Sequence, residues 1–133
     1  APTKEIYYEI DKPMNHDFRE RFNKTLEIIN RIKNKTRTVL RITAVKRRNM
    51  CNEKEYSDLI RKADPKFLEI KGFSLVGPSK DKLDFDNVPT HKDVKELADK
   101  ISFYSGYKIV DEEPRSRVVL LMKDNSNDRL LNF

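Results

Sequence analysis

The stretch "TRTVLRITAVKRRNM", residues 36–50, alternates apolar side chains with hydroxyl and basic ones and then ends in a basic cluster. The period of two from Thr38 to Val45 predicts a β-strand, because successive residues of a strand point to opposite faces. One face of this strand is apolar and carries Leu40, Ile42 and Ala44. The other face carries Arg41 and Thr43, where a strand buried between helices should be apolar. This polar face therefore meets either solvent or a ligand.

Helices and strands alternate along the chain after this strand. Apolar spacings of three and four predict the helices, and capping residues, Gly or Pro mark their ends. The predicted helices are Asp17–Ile32, a segment from Asn52 to before Pro65, and a segment from Thr90 to Gly106. The other predicted strands are Phe67–Leu75, Tyr107–Val110 and Arg117–Met122. This strand–helix repeat predicts an α/β fold with parallel strands.

Two helix starts depend on local signals alone. Asn52 followed by Glu55 predicts a capping box at the start of the second helix. The first ten residues fit either a strand or a short helix capped by Thr3, and the residues by themselves leave both open.

Both predicted parallel strands carry charged residues on one face. Arg41 and Thr43 lie on that face of the first strand, and Glu69 and Lys71 lie on that face of the second. Burying these charges unpaired would cost several kcal/mol each. We therefore expect the face to line a wet or ligand-filled cavity, as the lumen of a barrel does. The alternative is an ion pair of Glu69 with Arg41 or Lys71 that has no further role.

The charge of the chain is concentrated in one window. The 133 residues include 28 basic and 22 acidic ones, for a net charge of +6. No acid occurs between Glu27 and Glu53, whereas eight basic residues do: Arg31, Lys33, Lys35, Arg37, Arg41, Lys46, Arg47 and Arg48. This predicts a phosphate-binding surface, the alternative being a solvated helix end and loop. No aromatic residue interleaves with these cations, so the sequence does not indicate a platform for stacking single-stranded bases.

Cysteine content limits the cofactors that the chain can hold. Cys51 is the only cysteine, so an internal disulfide, an iron–sulfur cluster or a structural zinc site is not expected. A reducing, cytoplasmic location fits this content. No apolar run approaches about 18 residues and no secretory leader is visible, so we expect no membrane span.

Several segments resemble one enzyme family in the same order. "RTVLRITAVKRRNM" resembles the Arg-Thr-Val-x-Arg-x-Thr-x-Val-Lys segment of tRNA 4-demethylwyosine synthases, which are radical S-adenosylmethionine enzymes. "FLEIKGFSLVGPSKDKL", "NVPTHKDV" and "IVDEEPRSRVVLL" are similar to further segments of that family. The matches span residues 1–123. "APTKE" resembles the segment that follows the fourth barrel strand of the family, which favours a helix for residues 3–9.

The resemblance implies a fold and a division of the chain. It implies the C-terminal part of a partial radical-SAM (βα)6 TIM-like barrel, followed by a small C-terminal α/β subdomain. Residues 1–88 would supply the last βα units of the barrel, residues 89–123 the wyosine-base-formation subdomain, and residues 124–133 a flexible tail. The chain would then be the C-terminal half of the enzyme, and the missing N-terminal half would be its partner.

The resemblance also implies a reaction. The full-length enzyme would convert 1-methylguanosine, 3′ of the anticodon of tRNA-Phe, to 4-demethylwyosine with pyruvate and S-adenosylmethionine. The family's 4Fe-4S cluster is held by a Cys-x-x-x-Cys-x-x-Cys motif that this sequence lacks. We therefore expect this chain alone to bind no cofactor or metal and to be inactive. Its expected contributions are pocket lining and contact with the anticodon stem-loop.

Site residues follow from combining the resemblance with the strand faces. The expected cofactor-binding residues are Arg41, Thr43, Lys46 and Asn49. The expected RNA-binding residues are Lys33, Lys35, Arg47, Arg48, Ser79 and Lys80. No catalytic residue is assigned firmly, and Lys71 and Glu69 are the candidates.

Two other functions remain open from the sequence. The first is a free-standing RNA-binding α/β module without catalysis, which the basic window favours. The second is a fragment of a Schiff-base lyase in which Lys71, beside Glu69, is the nucleophile. The family's pyruvate-holding lysine would instead lie upstream of this chain.

Overall fold

A computed structural model of the chain describes residues 1–14 and 18–124 and contains four α-helices and four strands in that part. The helices are α1 Lys4–Asp11, α2 Phe18–Ile32, α3 Glu53–Ala63 and α4 His91–Ser105. The strands are β1 Val39–Ala44, β2 Phe67–Gly72, β3 Lys108–Glu113 and β4 Val118–Met122. Short 3-10 helices, Gly77–Asp81 and Phe85–Asn87, interrupt the loop between β2 and α4. The predicted tail, apart from its first residue, lies outside the described residues.

The helix starts reflect their capping residues. Thr3 caps α1, where its hydroxyl accepts a hydrogen bond from the Ile6 amide at 3.3 Å. The helix expected for residues 3–9 therefore forms, and it extends to Asp11. Thr90 and Asp93 form a reciprocal capping box at the start of α4. None of the helices in the described part combines the length and apolar character needed to cross a membrane.

The capping box predicted for α3 is wrong. Asn52 has a φ of 59°, in the left-handed region, and its side chain makes no capping hydrogen bond. Only its carbonyl takes part, accepting from the Tyr56 amide at 3.0 Å. Asparagine tolerates this backbone conformation better than most residues, which explains its place at the entrance of the helix.

The four strands form one sheet in the order β1-β2-β4-β3. β1 and β2 are parallel, as predicted, and β4 runs antiparallel to both β2 and β3. β4 covers the edge of β2 that would otherwise expose unpaired backbone groups. The α/β class is thus confirmed, with a mixed sheet in the described chain. The sheet takes strands from both sides of the predicted boundary at residues 88 and 89, and the division into two units stays a prediction.

The hydrophobic core lies on one face of this sheet. The core side chains of β2 and β4 are Leu68, Ile70, Val119 and Leu121, and those of α3 and α4 include Tyr56, Ile60, Val94, Leu97 and Ile101. Burying an apolar side chain of this size contributes about 1.5–3 kcal/mol. The predicted apolar face of β1 belongs to this core through Ala44, with Leu40 and Ile42 packed against it.

The opposite face of the sheet carries the polar residues of β1. Val39, on that face, is 51% exposed, and Arg41 and Thr43 are exposed as well. Glu69 and Lys71 are half-buried beside them on β2. In the described chain this face is open to solvent, which explains how a parallel pair tolerates charged residues in mid-strand.

Candidate functional site

The four polar residues predicted for the barrel lumen lie together on the open face. The register of β1 and β2 places Arg41 opposite Glu69 and Thr43 opposite Lys71. Arg41 Nη2 lies 3.0 Å from Glu69 Oε1 and 3.1 Å from Oε2, which is the ion pair considered as the simple alternative. The contact uses one nitrogen of the guanidinium. The N–H groups of Nε and Nη1 remain as donors for further acceptors.

A rigid basic loop follows β1. Asn49 is buried, and its side chain ties the loop to the strand: Oδ1 accepts from the Val45 amide at 2.7 Å and Nδ2 donates to the Thr43 carbonyl at 2.8 Å. The Tyr56 hydroxyl donates to the Asn49 carbonyl at 2.9 Å. Asn49 therefore has a structural role in this loop, and its predicted contact with a cofactor stays a prediction.

The basic side chains of this loop each meet an acid from another element. Lys46 Nζ lies 3.1 Å from Asp93, at the start of α4. The pKa of Asp93 is held below its ordinary value, first by the hydrogen bond from the Thr90 amide and also by Lys46. Arg47 Nη1 lies 3.5 Å from Asp86.

Arg48 pairs with Glu9 of α1 at the border of a cleft. This cleft of about 290 Å³ lies at the carboxyl end of β1, where active sites of βα folds form. Its lining residues are Glu9, Ile10, Lys12, Val45, Arg48, Lys82 and Leu83. Three cations and a single acid give it a positive character.

The predicted RNA-binding residues divide between the two ends of the sheet. Arg47 and Arg48 follow the carboxyl end of β1, whereas Lys33 and Lys35 lie between the end of α2 and the amino end of β1. A strand of six residues spans about 20 Å, so the two groups face different surroundings. Lys33 pairs with Asp64, whose pKa is lowered by hydrogen bonds from Lys123 and Lys33.

Ser79 and Lys80 lie in the 3-10 helix that follows β2. The Ser79 hydroxyl donates to the Val76 carbonyl and accepts from the Val76 amide at 3.2 Å, so it stabilises its own turn. Lys80 is exposed and forms no ion pair within the described residues. Ser79 thus has a local structural role, while Lys80 is available for an anionic ligand.

The donors of this chain do not fit an iron–sulfur cluster. Cys51 is its single cysteine and is exposed. Partial desolvation of the thiol by its surroundings, together with the charges of Glu53 and Glu55, raises its pKa, which disfavours the thiolate that binds metal. Within residues 1–14 and 18–124, no group of three His, Cys, Asp or Glu side chains is placed to hold a metal ion. One cysteine is too few to hold such a cluster.

Sequence reasoning missed several residues near the basic loop. Lys12 and Lys82 line the cleft although they lie outside the basic window of the sequence. Asn87 is buried and holds the loop before α4 against Lys46. The local signal for Asn87 is its spacing from Asp84, which is that of a capping pair.

Comparison with known proteins identifies relatives over nearly the whole chain. Residues 62–123 match the family described as wyosine base formation. The chain is 41% identical over 126 residues to the S-adenosyl-L-methionine-dependent tRNA 4-demethylwyosine synthase of Pyrococcus abyssi. The aligned region covers 94% of this chain and 36% of that enzyme. The enzyme of the same name from Oryza sativa is 38% identical, covering 92% of this chain and 19% of the relative.

Solved structures give the same result. A structure of TYW1 with a lysine-pyruvate adduct bound superposes with a TM-score of 0.80 at 28% identity, covering 95% of this chain and 39% of that one. Archaeal TYW1 superposes with a TM-score of 0.70 at 25% identity and covers 95% of this chain and 38% of that one. The chain spans about a third of the length of its archaeal relatives. The chain thus belongs to the family of tRNA 4-demethylwyosine synthases, as its sequence motifs predicted.

Proposed function

We propose that the chain is part of an enzyme that converts 1-methylguanosine in tRNA-Phe to 4-demethylwyosine with pyruvate and S-adenosylmethionine. The observation that carries this proposal is the 41% identity over 126 residues to a synthase of that name. The superposition on TYW1 with a lysine-pyruvate adduct supports the use of pyruvate. The missing part of the enzyme would supply the cluster ligands, since this chain has a single cysteine.

In this proposal, the open face of the sheet forms one wall of the pocket. Arg41 would bind the carboxylate of a small substrate or cofactor through the guanidinium N–H groups that the pair with Glu69 leaves available. Thr43 would donate a hydrogen bond on the same face, and Lys71 lies opposite it on β2. Glu69 orients the guanidinium, which lowers the entropic cost of ligand binding.

The carboxyl-end loops would hold the RNA. Arg47 and Arg48 are 69% and 42% exposed, so phosphate oxygens can reach both guanidinium groups. Lys12 and Lys82 extend the positive surface along the cleft, and Lys80 adds to it from the neighbouring 3-10 helix. Contacts of this kind position RNA without reading its sequence. Base identity would then be read inside the pocket of the whole enzyme, after the base leaves its stack.

A chimera tests the proposed activity. The matching segment of the Pyrococcus abyssi enzyme is replaced by this chain, and nucleosides from treated tRNA-Phe are analysed by mass spectrometry. We expect 4-demethylwyosine to form with the chimera, and not with the same chimera carrying Arg41→Ala. A folded chimera that retains its iron–sulfur cluster but gives no product would contradict the proposal.

Trapping with borohydride in the presence of pyruvate separates the main proposal from the Schiff-base alternative. If Lys71 were the nucleophile, this chain alone would gain the mass of a reduced pyruvate adduct, and Lys71→Arg would abolish the gain. We expect no such gain, because the pyruvate-binding lysine would lie in the other part of the enzyme. Labelling at Lys71 would favour the lyase alternative.

A further inference from the structure

A phenylalanine stands out of the surface next to the basic loop. Phe85 is 82% exposed, although it belongs to an ordered 3-10 turn. The Asp84 carboxylate accepts from the Asp86 amide at 2.9 Å, and Asn87 Oδ1 accepts from the Asp84 amide at 3.1 Å. These bonds fix the backbone on both sides of the ring. The exposure of the ring is therefore a property of this hydrogen-bonded turn.

The same turn is fastened to the loop after β1. Asn87 Nδ2 donates to the Lys46 carbonyl at 2.9 Å, and the Lys46 amide donates to the Asn87 carbonyl at 2.9 Å. Arg47 Nη1 then reaches Asp86, the residue after Phe85. The turn that carries Phe85 and the loop that carries the exposed Arg47 are thus joined directly, although about 40 residues separate the two side chains in sequence.

We propose that Phe85 stacks on an unpaired base of an RNA loop while Arg47 and Arg48 contact the adjacent phosphates. The inference rests on the proposed function and names the part of the RNA that this surface recognises. Exposed aromatic rings beside cations are the usual means of binding unpaired nucleotides. Phenylalanine has no hydrogen-bonding group, so this contact selects an unstacked base without selecting its identity.

The two acids of the turn, Asp84 and Asp86, reduce the positive charge of this surface. Asp86 neutralises part of the charge of Arg47, and Asp84 lies beside it in the same turn, although its carboxylate is engaged by the Asp86 amide. If phosphate replaces Asp86 at Arg47, Asp86→Asn should strengthen RNA binding. This substitution keeps the turn, because the carboxylate of Asp86 makes no capping bond in it.

Tryptophan fluorescence tests the stacking directly. The chain contains no tryptophan, so Phe85→Trp introduces a single reporter. Phe103→Trp is the matched control, because Phe103 is also 82% exposed but lies near the end of α4. We expect an RNA hairpin with an unpaired loop to quench the Phe85→Trp emission and to leave that of Phe103→Trp unchanged. A fully paired RNA duplex of the same length should quench neither.

Affinity gives a second readout. Phe85→Ala should weaken hairpin binding about five- to a hundredfold, the range expected for the loss of one stacked base, while Phe103→Ala does not. Equal affinity of Phe85→Ala and the unchanged chain, or equal quenching of the two tryptophan variants, would overturn the inference. If the unchanged chain bound RNA but Phe85 had no effect, only the stacking inference would fail. If the unchanged chain bound no RNA, the RNA-binding part of the proposed function would fail as well.

Discussion

Arg41 and Glu69 face each other across the two parallel strands, with Nη2 of Arg41 3.0 Å from Oε1 of Glu69. The Arg41 side chain is 58% exposed and that of Glu69 is 20% exposed. An ion pair this close to water adds little to stability, since solvent screens it and both side chains lose freedom. This agrees with the proposal that the open face binds a ligand, in which the pair is not needed for the stability of the fold.

This explanation predicts a small coupling energy between the two residues. In a double-mutant cycle of Arg41→Ala and Glu69→Ala, the coupling in the free energy of unfolding should be below about 1 kcal/mol. Urea unfolding of the four proteins measures it. A coupling of about 3 kcal/mol or more would instead indicate that the face is shielded from water in solution.

The basic loop should control the salt dependence of RNA binding. Arg47→Ala combined with Arg48→Ala should weaken binding of an RNA hairpin and reduce the slope of log affinity against log salt by about one unit per lost contact. Arg41→Ala is the control, because it removes one arginine charge from the open face of the sheet and should leave the slope unchanged. Filter binding at several salt concentrations measures all three proteins, and an equal loss of slope in the control would contradict the assignment.

Asn49 should matter for stability. Asn49→Ala removes the side-chain partner of the Val45 amide and that of the Thr43 carbonyl in a buried loop. This loss should lower the free energy of unfolding by about 1–3 kcal/mol. Asn34→Ala is the matched control at an exposed position and should change stability by less than about 0.5 kcal/mol. Urea unfolding measures both, and a neutral Asn49→Ala would show that water replaces the lost amide.

Asp64 should make stability depend on pH in the acid range. Hydrogen bonds from Lys123 and Lys33 hold its pKa below the ordinary value in the folded protein. Its contribution is therefore complete above the unfolded pKa of about 3.9 and is lost as the pH falls through the lower folded pKa. Asp64→Asn should cost up to about 1 kcal/mol near neutral pH, and the difference from the unchanged chain should shrink below the ordinary pKa.

Asparagine is the appropriate replacement because Asp64 has a φ of 45°, which asparagine tolerates. Asp58→Asn, at an exposed position of α3, serves as the control and should stay within about 0.5 kcal/mol at both pH values. Urea midpoints at neutral and acid pH provide the comparison. A difference for Asp64→Asn that is the same at both pH values would rule out the ion pairs as its cause.

The sequence by itself determined most of the local structure and the family. The alternation around Arg41 predicted β1, and Thr90 and Gly106 predicted the two ends of α4, because these signals act within a few residues. The strand predicted for residues 107–110 extends as β3 to Glu113. Backbone pairing with β4 holds acidic residues of low strand propensity in the extended conformation.

Tertiary structure decided the order of the strands and the composition of the candidate surfaces. The sequence placed Lys33 and Arg47 in one basic window, but β1 runs between them and carries them to opposite ends of the sheet. It showed no aromatic residue among the cations, yet the bonds between Asn87 and Lys46 bring Phe85 beside Arg47. Such contacts depend on which distant segments pack their apolar faces together, and this cannot be read from the spacing of residues along the chain.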